Sequence, residues 1–274
     1  MDPPHPLAGI PARLWQAVAG ASHRLLMLDY DGTLAPFSAD RDQAVPPART
    51  RELLERLAAG TGTELAIVSG RPMRQLEGLV GALPVTLVGE HGWDLRDPRG
   101  GLFEHPLSAD QAALLDRAEA DARAGGLGER LERKRASIVL HTRGAAPDEA
   151  RAAVEAASRL WRPFVEAPAG HPPEAGRGPG GARLDAIARG LELRLRGHDK
   201  GTAVGDLLAR SPAGTLAVYV GDEITDEDAF RAVRERGFGV KVREPERPTL
   251  ATGRLADPDA VTAFLEEWVR VTGG

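Results

Sequence analysis

The chain has 274 residues, 42% hydrophobic and 27% charged, with a formal net charge of −5. That length supports one large domain or two modest ones, and the mildly acidic balance argues against nucleic-acid binding, which leaves a basic footprint. Cysteine is absent, which excludes disulfides, thiolate metal sites and cysteine nucleophiles.

The opening stretch, Met1 to Pro11, is proline-rich and lacks the apolar segment of a signal peptide. No run reaches the roughly 20 apolar residues of a membrane-spanning helix. The expectation is a soluble, cytoplasmic monomer with neither membrane nor nucleic-acid partner. Arg24–Leu28 (RLLML) reads as a buried strand, Pro47–Ala59 as an amphipathic helix, and Glu64–Val68 (ELAIV) as a second strand. A helix opens near Pro72, and Val85–Val88 (VTLV) is a third strand. Short apolar strands separated by helices predict parallel crossovers in a sheet covered on both faces.

The middle reads as a small α+β layer. It predicts a helix over Asp110–Ala124, a strand at Ser137–His141, a helix over Pro147–Leu160 and a strand at Gly190–Leu195. Pro168–Gly181 (PAGHPPEAGRGPGG) is expected to be a mobile loop. The opening pattern then returns: helix Lys200–Ala209, strand Leu216–Val220, helix Asp226–Arg236, strand Phe238–Val242 and helix Pro258–Val271. The outer portions read as two halves of one α/β domain.

Four segments carry chemistry. In LLMLDYDGTL, Asp29 and Asp31 follow a buried strand and precede Gly32 and Thr33, at the sheet edge where α/β folds place ligands. In GDEITDEDAF, Asp222 leaves a strand end and Asp226 stands near a helix start, a position that also suits a helix-capping acid. Carboxylates gathered at one sheet edge repel unless a hard divalent cation joins them, and oxygen-only ligation suits magnesium. Ser69, in LAIVSGRP, suits either a phosphate oxygen or a helix cap. Lys200, in GHDKGTAV, opposes the dipole at a helix start unless an anion joins it.

In this order the four motifs resemble the haloacid dehalogenase (HAD) superfamily of phosphotransferases. The resemblance implies a Rossmann-like core, residues 1–104 and 195–274, with an inserted α/β cap at 105–194. It implies that Asp29 is a nucleophile forming an aspartyl-phosphate. Asp31 then protonates the leaving oxygen and later activates water. Ser69 and Lys200 hold phosphoryl oxygens. Magnesium sits on Asp29, Asp222 and the Asp31 backbone carbonyl, and Thr33 and Asp226 support the site.

Further strings, GRPMRQL, GEHGWDLRD, LERKRASIVLHTR and ELRLRGHDKGTAV, resemble the trehalose-6-phosphate phosphatases. That resemblance implies a role in trehalose biosynthesis, with Arg71, Glu132, Lys134 and Glu192 on the substrate. Two departures stand out: Glu223 where the family usually has Asp, and Leu195 where it usually has Pro. They leave open another glycosyl phosphate (of sucrose, glucosylglycerol or mannosylglycerate); the remaining alternative, a catalytically silent sugar-phosphate-binding domain, would be marked by loss of Asp29 or Asp31, and both are present.

Overall fold

A computed structural model describes residues 5–38, 41–60, 62–165, 181–187, 189–245 and 247–273. Two compact units form, Met1–Glu104 with Asp199–Gly274, and His105–His198. In chain order the first unit contains α1 (Ala12–Gly20), β1 (Arg24–Leu28), α2 (Ala48–Ala59), β2 (Thr63–Val68), α3 (Met73–Val80), β3 (Thr86–Gly89), β4 (Asp94–Arg96) and β5 (Leu102–Glu104). The second contains α4 (Ala109–Ala124), β6 (Leu131–Arg133), β7 (Ser137–His141), α5 (Pro147–Val165), β8 (Ala182–Ile187) and β9 (Gly190–Leu195). The chain returns to the first through α6 (Lys200–Arg210), β10 (Leu216–Gly221), α7 (Asp226–Val233), β11 (Gly237–Val242), β12 (Gly253–Leu255) and α8 (Pro258–Thr272).

The first unit is built on an eight-stranded sheet in the order β12-β11-β10-β1-β2-β3-β4-β5. It is parallel from β12 to β3, while β4 and β5 add an antiparallel edge. Every residue of β1 is buried, as a central parallel strand covered on both faces requires. Its side chains alternate between two cores. Leu26 and Leu28 join Leu14, Leu53, Leu76 and Phe264 of α1, α2, α3 and α8. Leu25 and Met27 join Val204, Leu207 and Phe230 of α6 and α7. Because β2, β1 and β10 are parallel neighbours, the residues that follow them emerge at one edge.

The second unit carries an antiparallel sheet ordered β6-β7-β9-β8. The Trp161 indole of α5 donates to the Ala118 carbonyl of α4 at 3.0 Å, tying the two helices together.

Two expected helix ends differ by several residues. The helix from Pro147 runs to Val165 through Pro163, whose place near its end limits the disruption. The helix from Asp226 stops at Val233, because Arg236 N–H turns back to the Val233 carbonyl. Helix α1, which follows the proline-rich stretch, has no counterpart among the expected elements; its Leu14 and Val18 are fully buried. The expected loop at Pro168–Gly181 lies, but for Gly181, outside the described residues. Among the described residues, no helix is long and apolar enough to cross a membrane.

Candidate active site

Asp29 follows β1, its N–H donating to the Val220 carbonyl of β10 at 2.8 Å. Ser69 follows β2 and is tied to Val88 of β3 in the same way. Asp222 follows β10, so three adjacent strand ends deliver Asp29, Ser69 and Asp222 to one edge. The turn after Asp29 needs glycine: Gly32 has φ +78°, and a Cβ there would lie 2.3 Å from Asp222 Oδ2. The Thr33 hydroxyl, fully buried, donates to Asp222 Oδ1 at 3.4 Å.

Lys200 reaches this edge from the first turn of α6. Asp199 and Thr202 form a reciprocal capping box that fixes where the helix starts, and Lys200 is 1% exposed. Its ammonium donates to Asp29 Oδ1 at 2.6 Å and to Asp226 Oδ1 at 2.7 Å. Asp226 also accepts from the Tyr219 hydroxyl at 2.8 Å and, through Oδ2, from Glu223 N–H at 2.7 Å. Both of its oxygens are therefore engaged in holding Lys200 and the turn. Asp29 Oδ2 is buried with no hydrogen-bond partner.

Asp29, Asp222 and Asp226 offer carboxylate oxygens within 4.8 Å of one another. Burial opposes the charge on Lys200, but Asp226 and Asp29 outweigh it and hold the ammonium well above its usual range. Lys200 and the Arg243 guanidinium, which donates to Asp222 Oδ2 at 3.2 Å, still leave the three carboxylates in excess. Burial, opposed by Lys200 and reinforced by Asp226 and Asp222, leaves the Asp29 carboxyl well above the carboxylate range. Burial and the neighbouring Glu223 and Asp226 push Asp222 up to about 7. Unpaired Asp29 Oδ2, beside this excess negative charge, is the arrangement a divalent cation satisfies.

Asp31 and Arg71 meet in a bidentate pair. Arg71 Nε donates to Asp31 Oδ2 and Nη2 to Oδ1, both at 2.6 Å. Arg71, expected on the substrate, is 1% exposed and stacks over the Tyr30 ring. The pairing fixes the plane of the Asp31 carboxyl and leaves each oxygen a second lone pair for a proton. Ser69 Oγ accepts from Arg71 N–H at 3.2 Å, while the N-cap position of α3 is Pro72. Glu90 and His91 take positive φ, 44° and 59°, and their N–H groups bond the Arg71 and Ser69 carbonyls at 2.9 Å. This non-glycine pair in left-handed geometry braces the Ser69 turn.

Within the His105–His198 unit, Glu132, Val139, Glu192 and Asp185 stand opposite one another across β6, β7, β9 and β8. Glu192 is buried and accepts from Lys134 Nζ at 3.2 Å and Ser137 Oγ at 2.6 Å. Glu132 pairs with His141 Nε2 at 2.6 Å. Lys134 is thus a buried, carboxylate-paired group and not a solvated charge.

The trehalose-phosphatase family model matches residues 27–167 and 182–259. The chain belongs to this family. It is 36% identical over 258 residues to the bifunctional trehalose-6-phosphate synthase/phosphatase of Thermoproteus tenax, covering 91% of this chain and 32% of that protein. It is 32% identical over 253 residues to the trehalose-phosphate phosphatase of Mycobacterium marinum, covering 87% of this chain and 60% of that one. The chain therefore spans from about a third to three-fifths of these two relatives. The structure of the C. albicans trehalose-6-phosphate phosphatase C-terminal domain aligns with a TM-score of 0.79 at 22% identity, over 95% of this chain and 96% of that one. The fold is that of the HAD hydrolases, a mixed α/β core with an inserted subdomain.

The shift at Asp222 gives a signed prediction for family members with this site. Asp222 titrates at about 7 in the fold, against 3.8 as its ordinary value. Between those values the folded state holds a proton that the unfolded state has released. Metal-free stability is therefore expected to fall as pH rises from about 4 to 7. At about 1.4 kcal/mol per tenfold change in the protonation equilibrium, the upper bound is about 4 kcal/mol. Thermal melts in chelator at pH 5 and pH 8 check this, with Asp222→Asn flattening the difference and excess magnesium removing most of it. A metal-free protein more stable at pH 8, with Asp222→Asn unchanged, refutes the assignment.

Proposed function

We propose that the chain hydrolyses trehalose 6-phosphate to trehalose and inorganic phosphate as a step of trehalose biosynthesis. The observation that carries this reading is Asp29. One oxygen is anchored by Lys200, and the other is buried, unpartnered and at a strand end shared with Ser69 and Asp222. A carboxylate so held suits in-line attack, with family membership narrowing the substrate.

Asp29 Oδ2 attacks phosphorus, the bond from phosphorus to the sugar oxygen breaks, and Asp31 gives that oxygen a proton. Asp31 then takes a proton from water as it attacks the aspartyl-phosphate, releasing phosphate and restoring Asp29. Arg71 keeps Asp31 oriented in both steps, while Lys200 and Ser69 present donors to the phosphoryl oxygens. Asp29 and Asp222 would hold magnesium, whose charge when bound would offset the repulsion between carboxylate and phosphate. The His105–His198 unit supplies the sugar-recognising groups Glu132, Lys134 and Glu192.

The expected result, with magnesium present, is a kcat/KM for trehalose 6-phosphate at least about tenfold above those for glucose 6-phosphate and sucrose, glucosylglycerol and mannosylglycerate phosphates. Such a ratio corresponds to about 1.4 kcal/mol of differential transition-state binding. Equal rates across the panel would remove the substrate assignment. No turnover of any member would remove the hydrolase reading.

A further inference from the structure

Lys241 is a buried lysine that the chemistry above does not use. It lies on β11 directly opposite Gly221 of β10, flanked by the fully buried Val240 and Val242. A buried ammonium is costly unless its donors find acceptors. Here it donates to two backbone carbonyls, Asp222 O at 2.5 Å and Glu223 O at 3.0 Å. The Asp222 carbonyl and the Glu223 N–H belong to one peptide unit, and that N–H donates to Asp226 Oδ2 at 2.7 Å. This peptide is thus clamped at both ends, a cation on its C=O and a carboxylate on its N–H.

Fixing a peptide plane restrains ψ of the residue before it and so the direction of that residue's Cα–Cβ bond, from which its carboxylate extends. The clamp therefore aims the Asp222 carboxylate, whose oxygens meet Thr33 and Arg243. We propose that Lys241 is a positioning residue which, with Asp226, orients Asp222 toward the divalent cation. The inference rests on the reading of Asp222 as a cation ligand.

Its test has an unusual sign. Lys241 is itself a cation near the site, so charge alone predicts that removing it tightens cation binding. Positioning predicts the reverse, since partners that orient metal ligands are typically worth 10–100-fold in affinity. Manganese binding to the phosphate-free protein is measured directly, by calorimetry and by electron paramagnetic resonance. Lys241→Met should weaken it at least about tenfold, and Lys241→Arg should restore it to within about threefold.

Hydrogen exchange at Glu223 N–H gives a second readout in the same samples, with protection lost in Lys241→Met and kept in Lys241→Arg. If Lys241→Met does not fold, Lys241→Gln, which keeps a donor for one carbonyl, should show an intermediate loss. Unchanged or tighter manganese binding in the folded neutral variant overturns the inference. A parent protein that binds no manganese, or binds it unchanged in Asp222→Asn, overturns the cation-ligand reading as well.

Discussion

Asp29→Asn is expected to reduce sugar-phosphate hydrolysis by roughly 10⁴-fold or more while leaving the protein folded. The substitution keeps the planar shape and a carbonyl-type oxygen able to accept from Lys200 Nζ, which sits 2.6 Å from Oδ1 in the parent. It replaces the unpartnered Oδ2 with an amide nitrogen, which cannot attack phosphorus to give an acyl phosphate. A general acid and an oriented phosphate remain, so some acceleration over water survives, but the covalent route is lost.

The same substitution removes one carboxyl from a site that gathers three carboxyls, Lys200 and the Arg243 guanidinium. Burial holds Asp29 well above the ordinary carboxylate range, so its ionised form is disfavoured in the metal-free fold. Asp29→Asn should accordingly melt no lower than the parent in chelator at pH 8. Acid-quenched protein incubated with phosphate-labelled substrate should carry label in the parent and none in the variant. Turnover within tenfold of the parent, with a normal melt, would refute Asp29 as nucleophile.

The legible part of this site is the part carried by local pattern. Asp29, Ser69 and Asp222 stand at the ends of apolar runs, and a buried parallel strand announces itself as such a run. What joins the site across the sheet is not local. Tyr219 sits inside the apolar LAVYV run, and its role depends on Asp226 lying seven residues on and folding back beneath it. Lys241 reads as one charge in an alternating strand until the β10–β11 register places it beside Gly221. Arg71 sits three residues beyond the end of β2 and invites a phosphate, yet its guanidinium closes on Asp31, 40 residues earlier. The positive φ of Glu90 and His91 leaves no mark in residue types that ordinarily avoid it. Strand β8 does alternate, Arg183 and Asp185 sharing one face and pairing at 2.9 Å, but two alanines on its apolar face make the pattern too weak to mark a strand.

Lys200→Met is expected to damage stability as well as turnover, and in a pH-dependent way. Lys200 is 1% exposed and bonds two carboxylates at once. Methionine fills similar volume without charge, so the variant isolates the loss of the ammonium. Removing one partner of a buried ion pair typically costs about 3–5 kcal/mol, because the charge left behind stays buried. For a chain of this size that corresponds to a fall of about 10 °C in Tm at pH 8.

The sign with pH follows from the carboxyls. Asp222 is pushed up to about 7, so acidification protonates it and removes part of the repulsion Lys200 had offset. The deficit relative to the parent should therefore shrink between pH 8 and pH 5. Saturating magnesium should shrink it too, by supplying cationic charge at the same carboxylates. Removing a carboxylate in the double variant Lys200→Met/Asp226→Asn should recover part of the loss, since the two residues are in direct contact and their effects do not add. Turnover is expected to fall about 10²–10³-fold even in magnesium, because the neutral Ser69 hydroxyl cannot replace the charge of the ammonium at the transferring phosphoryl group. Melts across pH 5–8, with and without magnesium, read all of these together. A pH-independent deficit that magnesium and Asp226→Asn leave untouched would mean that Lys200 acts by packing, and that the charge balance drawn here for Asp29, Asp222 and Asp226 is wrong.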